Sequence, residues 1–154
     1  MRIPKTLKPL LAALLLALSA PALAGEIAVV DVARVIDASL PGKAGQKYID
    51  GVKASLDAEL AKYRASLGPA AEGDARLAQK EALLAARYQK ELSRVTSLLV
   101  GELRKAASDW LKGNKDGVTL VLPASQTLAA APETDVNAEL LRRLNAAVVD
   151  FTKK

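Results

Sequence analysis

The chain has 154 residues, with 22 Lys and Arg against 17 Asp and Glu, and contains neither cysteine nor histidine. It can therefore form no disulfide, no Cys/His zinc site, no imidazole general base and no thiol nucleophile. It also lacks an Asp-rich calcium loop, a Gly-rich phosphate loop and a Gly-x-Ser-x-Gly turn. No cofactor, metal or catalytic residue is expected, and the chain does not read as an enzyme.

In chain order, "MRIPKTLK" carries Arg2, Lys5 and Lys8 and no acid, and the apolar run "PLLAALLLALSA" follows. Small residues then stand at Ala22 and Ala24. This three-part pattern predicts a secretory signal peptide over 1–24, cleaved between Ala24 and Gly25. The apolar run is shorter than the roughly 20 residues that a spanning helix needs. Residues 25–154 then form one exported domain, expected in the periplasm. The signal holds three of the 22 basic residues, leaving 19 against 17 and a net charge of only +2. Most of the basicity thus belongs to the export signal, and no nucleic-acid partner is expected.

"EIAVVDV" (26–32) is rich in β-branched residues and predicts a strand. "VARVIDASL" (32–40) places Val32, Val35, Ile36 and Leu40 on one helical face, and Pro41-Gly42 is expected to end that helix. Two long helical patterns follow, 43–67 and 74–112, split by the turn signals of "GPAAEGD" (68–74). The period returns to two in "VTLVLP", predicting a strand, and "QTLAAA" is read as another. "DVNAELLRRLNAAVVDF" predicts a terminal amphipathic helix with Asp135 or Asn137 as its N-cap.

The first long pattern has its stripe at Ile49, Val52, Leu56, Leu60, Tyr63 and Leu67. The second runs Leu84, Tyr88, Leu92, Val95, Leu99, Leu103, Ala106, Trp110, an 11-residue repeat that keeps a stripe nearly straight. Joined by a short turn, the two should form an antiparallel hairpin, with paired positions summing to roughly 141. At about 1.5 Å per residue the longer helix extends close to 60 Å, more than a compact domain of this size can contain. The sequence therefore predicts a mostly α, α+β fold. Its body (25–42 and 113–154) holds a small sheet, and a helical arm (43–112) projects from it. The strand at 26–32 should find its partners some 90 residues downstream and on other chains.

This order of elements resembles the Skp (OmpH-like) family of periplasmic chaperones. "IAVVDVARVIDASLPGKAGQKYI" is similar to the family's N-terminal strand, helix and turn into the arm. "GVTLVLPASQTLAAAPETDVNAELLRRLN" is similar to its closing strands and terminal helix. The two segments flank the whole mature chain. The first arm helix is shorter than the family's, and Pro123 stands where an acidic residue is expected. The resemblance implies a homotrimer with a shared β body and three arms around a cavity. It implies an ATP-independent holdase for unfolded outer-membrane β-barrel proteins in transit. The alternative is a structural or adaptor coiled-coil protein of the envelope.

Ile27, Val29, Val30, Leu120 and Leu122 are the candidate subunit interface, because so little other core is available. Lys62, Arg64, Arg76 and Lys80 on the lower arm are candidate contacts for clients or for an anionic lipid or lipopolysaccharide surface. Tyr63 and Tyr88 read as packing within the hairpin, and Trp110 as an anchor of the arm on the body.

Overall fold

A computed structural model describes residues 26–68 and 74–153. The predicted signal peptide and most of the turn at the arm's tip lie outside the described residues. The elements are β1 (Glu26–Val30), α1 (Val32–Ala38), α2 (Leu40–Leu67), α3 (Ala75–Gly113), β2 (Val118–Pro123) and α4 (Asn137–Leu144), with two single 3-10 turns between β2 and α4. The described part is mostly helical with one two-stranded sheet, as the periodicities predict.

β1 and β2 are parallel, with Ile27 beside Leu120 and Val29 beside Leu122. The crossover that a parallel pair requires is here the entire arm. Two polar side chains secure its return. Asp31 caps α1 by accepting from the Arg34 N–H (3.0 Å), and its own N–H donates to the Asn137 side chain (2.7 Å). Asn114 ends α3 and brackets Val118, accepting from its N–H and donating to its carbonyl.

Pro41-Gly42 begins the arm helix instead of breaking the chain between two helices. Ser39 is the N-cap and Pro41 lies in the first turn, where a missing N–H leaves no hydrogen bond unmade. Ser39 is fully buried, and its Oγ accepts from the Gly42 N–H (2.9 Å) while donating to the Ile36 carbonyl (2.7 Å). Leu40 accordingly leaves the apolar face of α1 and is 62% exposed. A Cβ on Gly42 would overlap the Ile36 carbonyl, so the α1–α2 corner admits only glycine there. Gly42→Ala should lower stability by roughly 3 kcal/mol, the upper end of ordinary point mutations. Gly101, with open space around its Cα, should gain about 1 kcal/mol on replacement by Ala. Urea midpoints of the two variants, moving in opposite directions, check both.

The body core is Val30, Val35, Leu103, Leu140 and Leu144, with Trp110 and Val121 packed against it. Val30 thus lies inside the subunit, not at its outer face. Along the arm, Ile49, Leu56, Leu77, Leu84, Val95 and Leu99 are buried between α2 and α3. The hairpin register is the expected one. Glu59 meets Lys80 and Arg87, and Arg64 meets Glu81, in pairs whose numbers sum to either side of roughly 141. Tyr88 packs at the arm's root and Tyr63 beneath Lys80, as expected of hairpin residues.

Two expectations about the last third are corrected. "QTLAAA" forms no strand: a 3-10 turn occupies Ala124–Gln126, and Leu128 beyond it is fully exposed. The second partner of β1 is instead a single bridge, Val29 to Asp135, closed by the Val136 N–H on the Val29 carbonyl (3.1 Å). The terminal helix stops at Leu144 and has Val136 at its N-cap, while Asp135 and Asn137 make other hydrogen bonds. The Asp135 carboxylate accepts from the Asn137 N–H, and the Asn137 side chain reaches Asp31. At the other end Asn145 accepts from the Leu40 N–H (2.7 Å), satisfying a free donor in the first turn of α2.

Candidate functional site

Two surfaces carry the residues singled out in the sequence. The first is the outer face of the sheet. Side chains alternate along a strand, so Ala28 and Val30 point inward and Ile27 and Val29 outward. Register then places Leu120 beside Ile27 and Leu122 beside Val29 on the same outer face. Ile27 is 48% and Leu120 44% exposed, while Val29 and Leu122 are half-buried. Four of the five predicted interface residues therefore form one apolar patch.

The second is the lower arm, where the four predicted cations do not form a patch of free positive charge. Arg64 pairs with Glu81 (3.2 Å), and Arg76 grips the capping carboxylate of Asp74 (2.8 Å). Lys80 reaches Glu59 (2.5 Å) with its ammonium over the Tyr63 ring. Lys62 is exposed and makes no ion pair with any described residue. For Arg64 and Lys80 the reason is the hairpin register, which sets Glu81 and Glu59 opposite them, and for Arg76 it is the cap of its own helix. The Lys80 hydrogen bond holds the Glu59 carboxyl below its ordinary range, with Arg87 adding to the effect. Arg76 does the same to Asp74, through its side chain first and its backbone N–H second. These contacts are exposed or only partly buried, so each contributes little to stability.

Two features were not legible in the sequence. An open groove of about 860 Å³ lies between α1, the start of α2 and α3, lined by Val32, Ile36, Ile49, Val95, Leu99 and Val100 with Lys43, Lys47, Asp37 and Asp50. Further along the hairpin, Arg94 binds Glu91 (2.8 Å), the Tyr48 hydroxyl (3.2 Å) and the carbonyls of Phe151 (2.6 Å) and Lys153 (3.1 Å). Phe151 is 6% exposed, stacked on Tyr48 and packed with Ile49, Val95 and Leu99. A hint existed in composition: Phe151 is the chain's single phenylalanine.

Among the described residues, no group of three or more carboxylates could hold a metal ion. No described helix is long and apolar enough to cross a membrane. The arrangement offers apolar surface, a long thin arm and an open groove.

No protein-family model and no curated protein matches the sequence. The structure is similar to the crystal structure of a proposed outer membrane chaperone (OmpH-like) from Caulobacter crescentus CB15, with a TM-score of 0.56 and 20% identity. The match covers 78% of this chain and 83% of that one. At that identity the likeness is one of architecture, and it coincides with the element order on which the sequence resemblance rests. The chain has the OmpH-like fold: a small β body from which a long antiparallel helical arm projects.

Proposed function

We propose that this protein is an ATP-independent holdase chaperone of the periplasm, exported by residues 1–24 and binding unfolded outer-membrane β-barrel proteins. It acts without cofactor or catalysis, as a homotrimer joined through Ile27, Val29, Leu120 and Leu122, with three arms bounding the space that receives the client. The observation that carries this reading is the arm. Beyond the Phe151 cluster at its root, the arm buries Leu56 of α2 and Leu77 and Leu84 of α3, and the 39-residue α3 is about 58 Å long. An extension so thin, rich in alanine and set on a small body, adds little to the stability of the fold. It supplies reach and surface. The OmpH-like architecture supports the same reading, as does the exposed sheet face, which suits burial against another copy.

The direct experiment dilutes a urea-unfolded β-barrel protein into buffer with the purified protein at one trimer per client. Light scattering should stay near baseline without ATP, and the client should co-elute with the chaperone on gel filtration. Unchanged aggregation of several such clients would remove the holdase reading.

A further inference from the structure

The terminal segment after α4 does more than finish the chain. It leaves the body at Asn145, whose side chain accepts from the Leu40 N–H at the start of the arm helix. It then crosses Val148, which is almost fully exposed, and re-enters the molecule at Phe151, on the hairpin. Phe151 lies against both arm helices, packed with Ile49 of α2 and with Val95 and Leu99 of α3. Arg94 of α3 donates to the Phe151 and Lys153 carbonyls, tying the segment's backbone down on either side of Thr152. The receiving site is close-fitting: a Cβ on Gly45 would come within 3.1 Å of Val95, 3.2 Å of Leu99 and 3.3 Å of Phe151.

These contacts add a second link between parts already joined through the body core: α4, the α1–α2 corner and the root of the hairpin. We propose that residues 145–153 are a strap that couples the arm to the body. When it is seated, the first turns of α2 and the facing turns of α3 are held rigidly against the body. When it is released, the root of the arm opens while the body core remains intact. The packing favours this order of opening: Phe151 and Val149 belong with Ile49, Val95 and Leu99, Leu140 and Leu144 belong to the body core, and Ile36 packs against both clusters. Asn145 and Ala147 stay with the body. Past them, the strap is attached to the arm by the buried Phe151 ring, Val149 beside it and two carbonyls, a small set as expected of an element that can open locally.

The test is hydrogen exchange on the full-length protein, with Phe151→Ala and Arg94→Gln compared with Val148→Ala as a surface control. Both strap variants should raise exchange about tenfold or more in 45–52 and 92–99, with less than about a twofold change in β1, α1 and α4. Val148→Ala should match the wild type. Unchanged exchange at the arm root in both strap variants would overturn the proposal. So would acceleration of the body to the same extent as the arm, which would make Phe151 an ordinary core residue. Because no client is present, either outcome is independent of the holdase reading.

Discussion

Replacing the residues between Leu60 and Leu84 with a short turn is expected to leave a folded, assembled body that no longer protects an unfolded β-barrel protein from aggregation. The physical case is that both core clusters lie outside the deletion. Val30, Val35, Leu103, Leu140 and Leu144 hold the body, and Ile49, Val95, Leu99 and Phe151 hold the arm's root. Among its described residues the deleted stretch buries Leu77, with Leu84 at its edge. The far-ultraviolet spectrum should lose helix in proportion to the residues removed, and the thermal transition should persist. On the proposed reading holding should disappear, because affinity would then be a sum of weak contacts along three arms, raised by the effective concentration between them. Should the shortened protein still keep the client soluble at one trimer per client, the arms are spacers and the adaptor reading replaces the holdase one.

Leu120→Asp is expected to convert the assembly into folded monomers. Leu120 is 44% exposed within its own subunit, so a carboxylate there remains hydrated in the monomer and disturbs its fold little. Buried without a partner between copies, the same charge costs several kcal/mol at each interface. Ile27→Asp, beside it in register, should do the same. Val30→Asp should behave differently, since Val30 is 5% exposed among Val35, Leu103, Leu140 and Leu144, and the subunit itself should unfold. Light scattering coupled to gel filtration reads the mass, and circular dichroism reads the fold. A wild-type protein that is monomeric at micromolar concentration, or a Leu120→Asp variant of unchanged mass, would remove the trimer.

Much of the arrangement was legible because its causes are local. The β-branched run at 26–30, the 3-4 spacing of the long stripes, the breaks at Gly68 and Asn114 and the return to period two at Val118 each act over a few residues. Length did the rest for the arm, since a 39-residue helix cannot fold back on a body this small. The polar corner was misread because Ser39-Leu40-Pro41-Gly42 is compatible both with a helix stop and with a helix start. Only the packing of Gly42 against the Ile36 carbonyl selects the start.

Sequence by itself determined β1, β2, the arm helices, their order, the hairpin register and the pairing of β1 with β2, because periodicity and chain length act through the covalent chain. Tertiary structure decided which face of β1 is inside, separating Val30 from Val29, since alternation marks two faces without saying which one meets α1 and α4. It decided that Arg64, Arg76 and Lys80 are neutralised, because Glu81, Asp74 and Glu59 meet them only once the hairpin is closed or the cap formed. It also decided the fate of 145–153. The apolar spacing of Leu140, Leu144 and Phe151 would continue a helix, but Asn145 is drawn to the free N–H of Leu40 and Phe151 to the cleft beside Gly45. Contacts so distant in sequence leave no local period to read.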